Sequence, residues 1–348
     1  MTTSIPRVKT STSSPQLWRP TPLRALEQVD LPSELHFVRD HFAAPDTSAA
    51  SWSMQLTGTT GSVLLDVDAV RRLPRRTLSV VLECAGHRRA EFEPVPPGVP
   101  WAIGAVAEAR WTGTSLGAVL EAAGIPPGAR EVVLEGTDRG QIDGVGPIHR
   151  FARSLPLAKA LDPDVLLAHE MNGQPISVDR GGPVRAIVPG WYATDSVKWL
   201  DRIWFTDEEF DGAFQAHDYR FRELGEPGLG RRMTELPVHA LITTPAEGET
   251  VARAPELAIR GVAWGGTGGV AEVLVSIDRG PWVPAHVAPV KGPYTRVHWE
   301  TRVQIETGEH ELACRGVDGA GCGQPDHPPI NVDGYANNAV HRVSFTVV

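Results

Sequence analysis

The chain has 348 residues, 41% of them hydrophobic and 22% charged, and its 33 Lys and Arg against 42 Asp and Glu leave a net charge of −9. That is globular usage at a length that predicts two domains or one large one, and it excludes a coiled coil, a collagen and a wholly disordered chain. An acidic balance with no Lys/Arg tail argues against nucleic acid and anionic membrane as partners, and no apolar run reaches the roughly 18 residues of a membrane span.

Met1 to Pro20 is polar and Ser/Thr-rich, without a signal-peptide core or a twin-arginine pair, so a cytoplasmic location is expected. Pro6, Pro15, Pro20, Pro22 and Pro32 interrupt any regular element, which predicts a flexible arm over residues 1–34 and order from Leu35 onward. Ser51–Leu56 alternates polar and apolar residues, as a half-buried strand does, and Leu78–Leu82 reads as a compact buried strand. Leu116–Ala123 reads as a helix stopped by Gly124 and Pro126. Glu131–Leu134, Val184–Val188 and Val197–Phe205 read as strands, whereas Pro163–Met171 fits strand or helix. The Gly-, Pro- and charge-rich stretch 222–236 marks a boundary between domains at 35–230 and 235–348. After it come about seven strand-like runs separated by turn signals such as Asp278-Arg279-Gly280 and Thr307-Gly308. The expected fold class is α+β: a mixed α/β domain followed by an immunoglobulin-like β-sandwich.

The three cysteines, Cys84, Cys314 and Cys322, give neither a disulfide framework nor a four-thiolate metal site. Cys314 sits in the strand-like run ELACRGV and reads as a small buried hydrophobe. Cys84 is different: it follows a buried strand and precedes Ala85, Gly86, His87, Arg88 and Arg89. Guanidiniums beside a thiol favour thiolate, a soft ligand or nucleophile. Gly86 would let backbone approach a bulky ligand, and Arg88 and Arg89 could fork onto an oxyanion.

The run CAGHRR resembles the Cys-Ala-Gly-Asn-Arg-Arg motif of the sulfite oxidase family of molybdenum enzymes. Phe37-Val38-Arg39-Asp40-His41, Trp101–Trp111, Glu135-Gly136-Thr137-Asp138, Ser154–Ala160, Leu166–Pro175, Gly182–Arg185, Ser196–Leu200, Ile259–Trp264 and Asn338–Val343 resemble family stretches in the same order. The resemblance implies a molybdopterin-binding catalytic domain followed by a dimerisation domain, and hence a homodimer. It implies Mo-molybdopterin as cofactor, with Cys84 as the metal ligand. It places Phe37, Val38, Arg39, Asp40, His41, Asp138, Arg180, Arg185, Ser196, Val197 and Lys198 on the pterin and its phosphate. Arg89 and Trp101 match positions of an anionic substrate pocket, and Arg39, His87 and Phe151 fall beside the reacting centre. The implied reaction is two-electron oxygen-atom transfer to or from a small oxo-substrate such as sulfite. No haem is expected in this chain, so electrons pass to a separate carrier, a cytochrome c or similar.

Four positions depart from the family pattern. Phe151 stands where the family has a tyrosine, and a phenyl ring donates no hydrogen bond. His87 replaces an asparagine and can titrate near neutral pH. Arg180 replaces a histidine and adds charge for a phosphate. Asp333 aligns with a substrate-binding arginine. These changes keep open an S- or N-oxide reductase and a non-catalytic, cofactor-binding descendant of the fold. His149, two residues from Phe151, is a candidate substitute for the tyrosine.

Overall fold

The computed structural model describes residues 17–142, 148–328 and 330–348. Two five-stranded sheets build the first half, one antiparallel and one mixed. In one, the antiparallel strands Arg76–Glu83, Val106–Ser115 and Leu166–Met171 lie side by side, and Gln174–Pro175 and Arg185–Ile187 both pair with Leu166–Met171. The other runs in the order Gly61–Asp66, Ser53–Gly58, Leu200–Thr206, Glu131–Gly140 and His149–Pro156. Its one parallel pairing joins Ser53–Gly58 to Leu200–Thr206. The undecided segment before Met171 is therefore a strand.

The expected helix forms over Leu116–Ala123 and stops at Gly124, whose φ of 77° suits glycine. It turns Leu116, Val119, Leu120 and Ala123 onto Met54, Leu56, Leu134 and Ile203 of the second sheet. A shorter helix, Val67–Arg72, opens where Asp66 caps the backbone N–H of Ala69 at 2.6 Å.

The later residues form two sheets face to face. One has His239–Thr244, Leu257–Trp264, Val297–Val303 and His286–Val287; the other has Glu249–Val251, His341–Val347, Gly308–Val317, Glu272–Ile277 and Val283–Pro284. Ile242, Ile259, Val275, Trp299, Leu312, Val343 and Phe345 fill the space between them, and Cys314 is fully buried there. The expected β-sandwich forms, with the strand at Trp282–Ala288 broken into two short pieces.

Two expectations need correction. Residues 17–34 are not a free arm; only residues 1–16 of that arm lie outside the described residues. Trp18–Arg19 pairs with Val38–Arg39, and the turn Leu23–Glu27 buries Ala25 and Leu26. Arg24 bonds Glu249 at 2.6 Å. The prolines rule out regular elements but not packing of the apolar residues between them. The stretch expected as a plain linker contains half of a hairpin, Arg220–Phe221 against Arg231–Arg232. Around it one cluster, including Phe42, Val81, Phe214, Tyr219, Met233, Leu241 and Trp264, joins both halves. Among the described residues no helix is long and apolar enough to cross a membrane.

Candidate functional site

The strand Arg76–Glu83 delivers Cys84 to a tight turn. Its backbone N–H donates to Ala105 O at 2.9 Å and its carbonyl accepts from His87 N–H at 2.9 Å. The next residues are held by the C-terminal half. Ala336 N–H donates to Ala85 O at 2.9 Å, Asn337 Nδ2 to Arg88 O at 3.0 Å, and Arg88 itself to Ala339 O at 2.5 Å. Arg88 commits its Nε to Glu91 and so does not face the thiol. Arg89 donates to Asp333 O at 2.8 Å and Val99 O at 3.0 Å, and lies over the Tyr335 ring at 5.1 Å. A Cβ on Gly86 would meet the Arg89 guanidinium at 2.8 Å, so this glycine makes room for an arginine rather than for a ligand.

Beside the turn lies a cavity of about 670 Å3, counting its open mouth. Its walls include Cys84, Phe37, Arg39, Asp40, His41, Asp138, Phe151, Arg185, Ser196 and Lys198, all expected from the sequence. His36, Thr194, Trp199 and Tyr219 line it as well and were not expected. Burial pushes the Cys84 thiol up, and Arg39 and Arg89 pull it back only in part. The thiolate expected from neighbouring arginines therefore needs a bound metal to displace the proton.

The cationic residues of the cavity lack anionic partners in proportion. Arg185 is fully enclosed; its guanidinium reaches Arg180 O and Ser196 O at 2.7 Å each, and burial lowers it to about 9. Lys198 pairs with Asp40 and donates to Asp179 O at 3.1 Å. Burial raises Asp138 to about 7 against the pull of Lys198. Four buried polar atoms on these walls have no hydrogen-bond partner among the described residues: His36 Nε2, Asp40 Oδ2, Asp138 Oδ1 and Thr194 Oγ1. Buried polar atoms are ordinarily satisfied, so orphans gathered in one cavity mark a polar ligand. A thiol, uncompensated cations and unpaired carboxylate oxygens fit a metal-bearing cofactor with ring N–H groups and a phosphate.

Several expected residues lie elsewhere. Arg180 donates to the carbonyls of Ser33, Glu34 and Phe37, so it anchors the segment that carries Phe37 and Arg39 instead of lining the cavity. Val38 and Val197 are buried and do not line it. Trp101 is buried against Trp18 and Phe37, and neither it nor Arg89 reaches the cavity wall. His149 is also absent from the wall. His87 is corrected most. It is lowered to about 3 by burial and faces Glu83, with Nδ1 3.2 Å from Oε1.

Glu83 also accepts from Trp264 Nε1 at 2.7 Å and has His239 Nε2 3.2 Å away. Glu83, His87 and His239 are close enough to hold a metal. The hydrogen bonding favours a different reading. His87 Nε2 accepts from Gly104 N–H at 3.4 Å, which leaves the ring hydrogen on Nδ1, donated to Glu83. The cluster thus ties the strand end before Cys84 to the sandwich.

Both halves of the chain resemble known proteins. Residues 41–214 match the oxidoreductase molybdopterin binding domain and residues 231–348 the Mo-co oxidoreductase dimerisation domain. The chain is 36% identical to the mitochondrial sulfite oxidase of Homo sapiens, over 98% of its own length and 66% of that protein's. It is 37% identical to the sulfite oxidase of Gallus gallus, over 89% of this chain and 72% of that one. It thus spans just under two thirds of the human protein. The sulfane dehydrogenase SoxCD from Paracoccus pantotrophus superposes with a TM-score of 0.82, at 24% identity over 99% of this chain and 90% of that chain, and shares the fold. The chain belongs to the sulfite oxidase family of molybdopterin oxidoreductases.

Proposed function

We propose that the chain is a molybdenum-cofactor oxidoreductase that transfers an oxygen atom to or from a small oxo-substrate such as sulfite, in a two-electron step, exchanging electrons with a separate carrier such as a cytochrome c. The observation that carries this reading is the cavity that combines the Cys84 thiol with Arg39, Arg185, Lys198 and four unpartnered polar atoms. The cofactor, when bound, supplies the redox metal at which oxygen is exchanged. Everything else falls to the chain.

Cys84 gives the metal one sulfur. Arg185, Lys198 and Arg39 neutralise the phosphate, and Ser196 and Thr194 offer hydroxyls beside them. Asp40 and Asp138 present carboxylate oxygens to ring N–H groups, and Phe37 and Trp199 supply apolar walls. The positive field of Arg39 and Arg89 reaches Cys84 and His41 and favours an anionic substrate beside the sulfur. The C-terminal half belongs to the same proposal as the dimerising surface of a homodimer. The three unpaired cysteines fit a reducing compartment and a cytoplasmic location.

The test is a panel of sulfite with an artificial electron acceptor, and of sulfoxide, N-oxide, nitrate and chlorate with an artificial donor. Turnover of at least one substrate, abolished in Cys84→Ser, is expected. A metal-loaded protein silent across the panel would leave the non-catalytic descendant as the better account.

A further inference from the structure

Five residues that line the cavity, His36, Phe37, Arg39, Asp40 and His41, sit on one short stretch of chain, residues 31–42. This stretch joins neither large sheet of the first half. Its strand residues Val38–Arg39 pair with Trp18–Arg19 in a two-stranded ladder of their own. Among the described residues, its remaining backbone hydrogen bond to another segment is Asp40 N–H to Leu17 O at 2.9 Å. Exposed residues bound it on both sides, 28–30 before it and 43–44 just after Phe42, and no helix or strand follows until Ser53. Loop residues of this kind absorb the backbone rotation of a hinge.

Side chains from the body of the domain hold the stretch in place. Arg180, only 3% exposed, donates its Nε to Ser33 O at 3.1 Å and its two terminal nitrogens to Glu34 O at 3.0 Å and Phe37 O at 3.4 Å. Asn172 Nδ2 reaches Leu31 O and Ser33 Oγ at 3.0 Å each. A guanidinium is a rigid fork of donors, so its three bonds form and break together. The same region holds the cations of the cavity. Arg180 O accepts from Arg185 at 2.7 Å, and Lys198 reaches both Asp179 O and, on the stretch itself, Asp40. Arg185 is 4% exposed and Asp40 3%. A fused-ring ligand carrying a phosphate is rigid and wide. Seating its phosphate on these enclosed cations requires a wall to move, and this is the wall with hinges at both ends.

We propose that residues 31–42 form a flap that swings out to admit the molybdenum cofactor and closes behind it, and that Arg180 is the positioning residue that latches it. The inference rests on the cofactor reading above and adds the way in. A phosphate held by Arg185 and Lys198 fixes the two residues that touch the latch and the flap, so a loaded cavity keeps itself shut. Arg180, which departs from the family's histidine, thus serves the cofactor from behind, through the flap.

The test starts from the full chain purified from a host unable to make the cofactor, then incubated with molybdenum cofactor, with uptake followed by elemental analysis. Ser33→Cys/Asn172→Cys replaces a side-chain contact of 3.0 Å with a disulfide that pins the flap. The oxidised double variant is expected to take up molybdenum about tenfold more slowly than the same protein reduced with dithiothreitol. Oxidised only after loading, it is expected to retain molybdenum at least as long as wild type. Arg180→Gln removes the fork. It is expected to load no more slowly than wild type and to lose molybdenum about tenfold faster, the scale of one or two hydrogen bonds to a charged group. Hydrogen exchange of the cofactor-free chains reads the latch without any metal: amides of residues 31–42 are expected to exchange about tenfold faster in Arg180→Gln than in wild type, with those of Leu257–Trp264 unchanged. Uptake by the oxidised double variant within about twofold of its reduced form would overturn the proposal, as would flap exchange in Arg180→Gln within about twofold of wild type. A wild-type chain that takes up no molybdenum would instead count against the functional reading, while the exchange comparison still decides the latch, so the two failures are distinguishable.

Discussion

Arg185 shows how a single buried cation reveals a missing partner. Its donors go to neutral carbonyls and its ring neighbour is Trp111 at 5.2 Å, so its charge contacts no carboxylate among the described residues. Holding a guanidinium there costs desolvation energy that an incoming phosphate would offset. Arg185→Gln keeps donors for the carbonyls and removes the charge. We expect molybdenum and phosphate content to fall at least about tenfold in affinity terms, a typical loss when a metal site's supporting partner is removed, with little change in Tm. Unchanged cofactor content would contradict this. Most of the residues that line the cavity were legible because they lie in short local motifs such as those around Cys84, Phe37 and Lys198. Tyr219 was not read as a cavity residue, because it comes from a bend far in sequence from those motifs. His87 was misjudged for a related reason. Its charge state is set by burial under the sandwich, which spacing does not reveal.

Among the elements, the turn after Cys84 is held from two sides. The first half supplies the strand Arg76–Glu83; the C-terminal half supplies His239 and Trp264 for Glu83, and Ala336 to Ala339 for the turn itself. The segment Leu23–Glu27 is a further seam, with Leu26 packed among Phe42, Val81 and Val262 and only 1% exposed. Leu26→Ala is expected to destabilise the chain by about 2–5 kcal/mol, as other buried leucine truncations do. A denaturant midpoint unchanged by this substitution would restore the flexible-arm expectation for this stretch. The helix Leu116–Ala123 was legible because its stop signals are local. The strand Val106–Ser115 was not read as one, since its alanines and Gly113 carry low strand preference. Likewise His149–Pro156 conceals its alternation behind Arg153, a fully buried charge paired with Asp195 at 2.9 Å.

The protein as a whole carries a set of buried neutral histidines. Burial lowers His36 and His341 to about 3 and His239 to about 4, and acts in the same direction on His41 and His87. Below pH 6.5 the unfolded chain binds these protons and the folded one does not, so stability is lost as the pH falls from about 6.5 toward 3. Asp138, raised to about 7, works the other way: it binds its proton in the folded state first and gains stability over the same range. Each tenfold change in proton affinity on folding is worth about 1.4 kcal/mol. On that scale five histidines outweigh Asp138 together with the raised Glu83, Glu108 and Asp195. The cofactor-free chain is therefore expected to show a markedly lower Tm at pH 5 than at pH 7.5; an equal or higher Tm at pH 5 would refute this balance. The two-part architecture was legible from the change of rhythm after residue 236. The joint cluster that binds the parts was not, because its members come from both halves and from the segment expected to be an arm.

All of this turns on the cavity beside Cys84 holding a molybdenum cofactor through that sulfur. Elemental analysis reads this out without an assumed substrate: the full chain is purified from a host that makes the cofactor, with Cys84→Ser purified in parallel. About one molybdenum per wild-type chain is expected, with most of it lost in a Cys84→Ser protein that remains folded. A wild-type chain without molybdenum, or a Cys84→Ser chain that keeps it in full, would show that the cavity does not bind the metal in this way.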